Sequence, residues 1–333
     1  MRILNLSWAQ DTGGQQYRTA RAWREHRPQD TYTAVTRTPT FYPIENRLDR
    51  GMIKRWMDAA DVIHAHNDLR VWDKTRYSRP VRSFRDMPKL VHFHGSMFRN
   101  HPDLHLLEAE KHDAIPVAST LDLVALAPER IRWLPQMYSL DELQSYRGAP
   151  NTGDTLRIAH APTNRAIKST QALIEAVQEL QKRGYPVELV LIEGVKNTEC
   201  LRRKGTADVY VDQLLLGYGC NAIEAFGMGI PVIAGVQPEK TVERIRQTIP
   251  ASTTALMRKT WGRYPFLKTT EETLADNLIL MLDPVIRAQY AERGMQHFLR
   301  WHASERVVER LHGYYTEAQG QKMDPAEEAG TAA

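Results

Sequence analysis

Val209-Tyr210-Val211-Asp212-Gln213-Leu214-Leu215-Leu216-Gly217-Tyr218-Gly219-Cys220-Asn221-Ala222-Ile223-Glu224-Ala225-Phe226-Gly227-Met228-Gly229-Ile230-Pro231-Val232-Ile233-Ala234 is the stretch whose reading decides the fold. An apolar β-type run leads into a loop containing Gly217 and Gly219. Asn221 reads as the cap of a short helix, and Glu224, three positions on, completes a capping-box pattern. Gly227 and Gly229 close that helix, Pro231 blocks its return, and Val232–Ala234 reads as a buried strand. The result is strand, glycine turn, helix N-terminus, strand.

Such a turn aims free N–H groups and the positive end of a helix dipole at whatever lies over the loop. Glycines let an anionic ligand approach the backbone, and Glu224, one turn in, can accept hydrogen bonds from a pair of hydroxyls. An ordinary strand–helix–strand unit with Glu224 merely capping fits the same residues, and geometry alone leaves both readings open.

The run G-Y-G-C-N-A-I-E-A-F-G-M-G-I-P-V-I resembles the donor-site signature of retaining, nucleotide-sugar-dependent glycosyltransferases of GT-B fold, usually E-G-F-G-x-x-x-x-E-A-M-A-x-G-x-P-V-I. The resemblance implies an α/β protein with two Rossmann-like domains whose parallel sheets face a central cleft. It implies that Glu224 holds the ribose hydroxyls, and that Gly219, Cys220 and Asn221 offer N–H groups to the sugar and diphosphate. The signature's first glutamate falls on Leu216, and Asp212, four residues earlier, is a candidate substitute.

The 333 residues suit two α/β domains with a core each. Apolar content of 42% and charged content of 25% are ordinary for a globular chain. No apolar run approaches the roughly 20 residues that span a bilayer, and the N-terminus lacks a signal-peptide core. Two cysteines, Cys200 and Cys220, give neither a disulfide framework nor a metal spacing, so a cytoplasmic setting is expected. The net charge of +4 favours an acidic partner weakly.

The first domain is expected over 1–147. Residues 2–6 read as its first strand, followed by the loop Asp11-Thr12-Gly13-Gly14 and a helix from Gln15 to His26. A Gly-Gly turn between strand and helix suits phosphate approach, and the resemblance puts Gly13 and Gly14 beside the donor. Strands follow at 32–36, 61–67, 90–96, 114–118 and 130–134, with a helix near 48–60. Two of these strands carry His64-Ala65-His66-Asn67 and His92-Phe93-His94-Gly95-Ser96 to their carboxyl ends, where ligands collect in doubly wound sheets. His92 and His94 share one face by alternation. A metal pair there lacks accompanying cysteines or carboxylates, so no metal ligand is assigned. The resemblance places His94, in its His-Gly-Ser, beside the donor sugar and diphosphate, with His66 and Asn67 toward the acceptor.

Between those strands, Arg70 to Lys89 sets seven Lys/Arg against two Asp, with Trp72, Tyr77 and Phe84 interleaved. Basic and aromatic residues together suit a phosphate backbone, stacked bases or anionic lipid. A solvated charged face fits too. Arg70 opens this segment and is taken as acceptor-side.

Arg147–Asp154 reads as a linker and the second domain as 148–303. Leu156–His160 is its first strand. Arg165 and Lys168 then sit where a strand end meets a helix start, suited to a diphosphate. The resemblance assigns them that role, although the family spaces its Arg and Lys five apart and here they are three apart, with Thr163 in the strict register. Further strands are expected at 187–194 and 207–211, with helices at 197–205, 271–282 and 284–300. A last helix, 304–320, is expected to cross back to the first domain, and the tail 321–333 reads as disordered.

The reading is sugar transfer, with retention, from a UDP- or GDP-sugar to an acceptor hydroxyl. His94, Lys168 and Arg165 carry the chemistry, with no metal and no cofactor beyond the nucleotide sugar. The acceptor stays open, with an anionic one favoured: nucleic acid, or a glycan precursor at the inner face of a membrane. Alternatives are transfer to a modified base in DNA, a sugar-nucleotide epimerase, and a non-catalytic binding module.

Overall fold

The computed structural model describes residues 1–7, 12–36, 42, 44, 46–47, 50–69, 84, 87–149, 151–245, 247 and 249–320. Most of the basic run from Arg70 and the whole tail 321–333 lie outside the described residues. The chain forms two compact units, Met1–Met137 together with the chain from Ser304, and Tyr138–Ala303.

The first unit holds a parallel sheet of seven strands: β1 Arg2–Ser7, β2 Thr31–Thr36, β3 Asn46–Arg47, β4 Val62–His66, β5 Lys89–Phe93, β6 Ala114–Ala118 and β7 Arg132–Trp133, in the order β3-β2-β1-β4-β5-β6-β7. β4 and β5 are buried along their whole length, as parallel strands covered on both faces must be. The helix Gln15–His26 turns Ala20, Ala22 and Trp23 inward. The helix Ser304–Ala318 adds Val307, Val308, Leu311 and Tyr315 to the same core as Ile3, Val62, Leu90 and Val117. Trp23 and Tyr315 lie 5.2 Å apart by ring centroids, both fully buried. One buried polar group is embedded here. Gln16 Nε2 donates to Asn5 O at 2.9 Å, Asn5 Oδ1 at 2.8 Å and Val35 O at 2.9 Å, tying helix to sheet.

The second unit holds five parallel strands: β8 Leu156–His160, β9 Val187–Leu191, β10 Val209–Val211, β11 Val232–Ala234 and β12 Leu267–Lys268, in the order β12-β11-β10-β8-β9. Successive strands are laid to opposite sides of the β8/β10 pair. In open α/β sheets the carboxyl ends at such a reversal are where ligands bind. The corresponding reversal in the first unit falls between β1 and β4.

Several local expectations need correction. The strand expected at 90–96 ends at Phe93, because Gly95 adopts φ 52° and starts a helix, Gly95–Asn100. Residues 138–147, read as first-domain, belong to the second unit. There Leu143 packs under Gly227, Gln144 Nε2 donates to Gly227 O at 2.5 Å, and Arg147 Nη1 donates to Gly205 O at 2.7 Å. The start of the supposed linker is therefore pinned. Helices at Pro102–Lys111, Pro238–Ile245 and Thr253–Trp261 were not expected from the sequence.

Gly235 follows β11, and its carbonyl accepts from Gly217 N at 2.7 Å. A Cβ there would sit 2.1 Å from Leu214 O, a backbone atom that cannot rotate aside. Gly235→Ala is expected to cost about 1–3 kcal/mol of unfolding free energy through overpacking, read as a lowered urea midpoint at unchanged slope.

Candidate functional site

The second unit gathers its polar groups at the carboxyl ends of β8 and β10. Asp212 follows β10 and is fully buried. Its Oδ1 accepts from Lys168 Nζ at 2.5 Å and its Oδ2 from Gly219 N at 2.7 Å. Burial works to raise the Asp212 carboxyl, but the Lys168 charge, its hydrogen bond and the Gly219 N–H outweigh it and hold the group below the usual carboxylate range. One carboxylate thus fastens the cation after β8 to the glycine turn after β10.

Each partner is braced in turn. Asn164 Oδ1 accepts from Ala166 N at 3.0 Å and Ile167 N at 3.2 Å, shaping the loop before Lys168. His160, at the end of β8, places Nδ1 2.7 Å from Val211 O and Nε2 2.9 Å from Thr170 Oγ1. A carbonyl only accepts, so Nδ1 carries the proton and Thr170 donates to Nε2. The neutral ring this requires agrees with the lowered His160 pKa, caused chiefly by burial. In the turn, Gly217 holds φ 76°, which favours glycine. Tyr218 anchors it, with its hydroxyl 2.7 Å from His297 Nε2 and 2.8 Å from His302 Nε2. A Cβ on Gly219 would stand 3.3 Å from Lys168 Nζ.

The helix after the turn runs Cys220–Gly227 with Gly219 as its N-cap, so Asn221 is not the cap and the capping box does not form. A lysine wins the competition for these side chains. Lys204, fully buried, donates to Asn221 Oδ1 at 2.8 Å, Asn221 O at 3.2 Å and Glu224 Oε2, which uses all three of its N–H groups. Asn221 Nδ2 donates to Ala161 O at 2.9 Å. Leu216, where the signature has its first glutamate, is buried in an apolar group with Leu215 and Ile249. Asp212 does not take over that position as a free acid, since both its oxygens are engaged.

Arg165 lies on the exposed loop, apart from this buried set, with Nε 2.8 Å from Glu193 Oε1. The second unit therefore carries Gly219, Cys220, Asn221 and Glu224 on one turn and helix, sets Lys168 against that turn through Asp212, and ties up Arg165 with Glu193. Asp212, named only as a substitute for the first glutamate, enters instead as the partner of Lys168. Lys204 is the unforeseen member, and its signal was a lysine three residues after Leu201 on the buried face of the helix Asn197–Lys204.

The first unit has its own set. Gly13 and Gly14 adopt φ 60° and 72°, and a Cβ on Gly14 would meet the Tyr42 ring at 2.5 Å, so packing alone demands that glycine. His94 is buried, accepts no exposed partner, and sits with Nε2 2.7 Å from His66 Nδ1 and Nδ1 3.3 Å from Ser119 Oγ. Asn67 holds φ 63° and its Oδ1 accepts from His94 N at 2.8 Å. His66 and Asn67 are thus joined to His94 directly. Arg70 lies outside the described residues. Lys89, counted in the basic run, points inward and donates to His112 O at 2.7 Å from a fully buried position, a structural role.

No family model and no curated protein matches the chain. Solved structures do. A glycosyltransferase from Rickettsia africae aligns over 96% of this chain and 99% of its own, at TM-score 0.69 and 12% identity. Anabaena HepE, solved with UDP-glucose, aligns over 95% and 100%, at TM-score 0.58 and 12% identity. An α-glucosyltransferase solved with UDP and a 13-mer DNA aligns over 95% and 100%, at TM-score 0.61 and 10% identity. The chain has the GT-B fold. Within it, the Lys168–Asp212–Gly219 set lies in the C-terminal Rossmann-like domain, and the histidines in the N-terminal one.

Two outcomes follow from the buried charges. Lys204→Met leaves Glu224 buried without its partner and is expected to cost about 3–5 kcal/mol, measured by urea unfolding at neutral pH. Asp212 is depressed in the folded state, so its stabilisation is complete above the unfolded value and fades as pH falls through the lower folded one. Wild type is therefore expected to lose stability below about pH 4 more steeply than Asp212→Asn, as the urea midpoints of the two across that range would show.

Proposed function

We propose that this chain transfers a sugar, with retention, from a nucleotide diphosphate sugar to an acceptor hydroxyl. The observation that carries the reading is Lys168 fastened to Asp212 and the Gly219 turn at the strand reversal of the second unit. A diphosphate laid on that turn meets a cation already positioned and a helix N-terminus already oriented. Lys168 would share its protons between Asp212 and the phosphate. Arg165 would release Glu193 to join it, a small loss for an exposed pair. Gly13, Gly14, Cys220 and Asn221 would complete the donor contacts through backbone N–H groups, whereas the Gly219 N–H, expected to join them, is held by Asp212. Lys204 occupies one oxygen of Glu224, and the other would accept from the ribose hydroxyls.

As the glycosidic bond breaks, negative charge grows on the leaving diphosphate. Lys168 and Arg165 would stabilise it as fixed cations, doing at the donor what a divalent ion does elsewhere, so the donor step needs no metal. His94 would lie beside the sugar. The leaving phosphate oxygen would take the proton of the acceptor hydroxyl on the same face of the ring. His66, Asn67 and Arg70 would meet the acceptor.

UDP is favoured as the nucleotide because HepE and the α-glucosyltransferase, which share the fold, were solved with it. The second of these was solved with DNA as well, and the run from Arg70 is basic and aromatic. Transfer to a modified base in DNA is therefore the second reading. It is supported by a salt-dependent shift of DNA on a gel and rejected if no binding occurs at low salt.

Lys168→Ala is expected to lower kcat for transfer by about 10²–10³-fold, the scale of losing one preorganised donor to developing charge, with weaker UDP binding by calorimetry. Turnover and UDP affinity equal to wild type would reject the donor site.

A further inference from the structure

Of the first unit's histidines the proposed transfer uses only His94 and His66, yet four lie together there. His64 and His66 are two apart on β4 and face the same side, and His66 pairs with His92 across to β5. His64 and His66 stack at 4.9 Å between centroids, and His92 and His94 at 4.2 Å. All four are buried, and burial drives each ring well below its usual value, His66 to about 3.

Eight ring nitrogens have to be accounted for. His64 Nδ1 lies 2.7 Å from Tyr315 Oη, and His64 Nε2 lies 3.3 Å from His92 Nδ1. His66 Nδ1 meets His94 Nε2, and His94 Nδ1 meets Ser119 Oγ. His66 Nε2 and His92 Nε2 are buried with no partner among the described residues. A purely structural histidine ladder would satisfy its nitrogens, and this one leaves two unmet.

We propose that His64, His66 and His92 form a site for one divalent transition-metal ion of the zinc class, at the carboxyl ends of β4 and β5. Each can offer one ring nitrogen, and these nitrogens lie within 4.8 Å of one another. A tetrahedral ion with bonds of about 2.0–2.1 Å sets its ligand nitrogens roughly 3.3 Å apart, so side-chain adjustment alone closes the site. The outer contacts match the need to orient ligating imidazoles. Tyr315 holds His64 through Nδ1, and His94, itself held by Ser119, holds His66 through Nδ1, so that His66 Nε2 is open to the ion and His64 Nε2 reaches it by giving up its 3.3 Å contact with His92 Nδ1. Sequence reading assigned no metal because no cysteine or carboxylate accompanies the pair at 92 and 94. Three imidazoles need neither, and the third and second come from the neighbouring strand. Three neutral ligands leave the ion's charge uncompensated, so the fourth position takes an ionised water or another anionic oxygen. A small cavity lined by Gln15, Arg18 and Gln136 borders His92.

The site is independent of the donor set in the second unit, so either can fail alone. The full chain is stripped with chelator, equilibrated with Zn²⁺, desalted and assayed for metal. About one equivalent is expected, and His66→Gln and His92→Gln should each weaken binding at least about tenfold, whereas the exposed His101→Gln should match wild type. Wild type is also loaded with Co²⁺, which requires no variant to fold. Intense visible bands of a four- or five-coordinate nitrogen site are expected. Negligible metal in wild type, equal binding by the ligand variants, or a weak octahedral cobalt spectrum would overturn the proposal.

Discussion

The second unit's polar architecture depends on one buried carboxylate. Asp212 has no exposure, and an ionised acid in that position is tolerated only if its oxygens are matched. Lys168 and Gly219 match them from two different loops. The geometry of the turn and the place of the cation are therefore one constraint rather than two. An anion arriving over the turn finds the lysine's desolvation already met by Asp212, and needs only to share it. Preorganisation of this kind is what lets a side chain act on charge as it develops instead of reorganising to meet it.

The second buried pair does a different job. Lys204 spends every N–H on Asn221 and Glu224, and its ammonium lies 5.0 Å from the Tyr210 ring centroid. Nothing remains on it for a ligand. Its effect is to fix the first turn of the helix Cys220–Gly227, so that Glu224 presents from one rotamer. Lys168 keeps 13% of its side chain exposed and has one charged partner, whereas Lys204 is wholly enclosed and saturated.

The layout of the fold was largely legible. Apolar runs separated by helical periods mark β1, β4, β8 and β11, because strands buried on both faces have little choice of residue. The helices Gln15–His26 and Pro284–Trp301 were legible for the same reason in their own period. Gly219, Asn221 and Glu224 were named from the sequence because the turn that carries them is continuous in the chain, and Lys168 because it stands between a strand end and a helix start. What was not legible is pairing between distant segments. Lys204 precedes Glu224 by twenty residues and meets it only once the sheet is assembled. The capping box at Asn221 failed for this reason: a local rule lost to a buried ammonium that no local rule contains. The helices Pro238–Ile245 and Thr253–Trp261 went unseen because, at eight and nine residues, each gives its period little more than two turns in which to show.

The histidines extend the same lesson from charge to neutral donors. Sequence alternation put 92 and 94 on one face, and ring contact between them is indeed close. The set that can converge on a single point, however, is drawn from two strands. His66 is level with His92 by the register of a parallel pair, and His64 reaches His92 from one step back. Strand register is a property of the sheet, so no spacing along the chain announces it. Chemically the two units differ in kind. The second pairs two buried carboxylates, Asp212 and Glu224, with Lys168 and Lys204. The first stacks imidazoles in its interior. A buried ring nitrogen is satisfied by a hydrogen-bond partner or, where it presents its lone pair, by a cation, and for His66 Nε2 and His92 Nε2 the described residues supply no hydrogen-bond partner.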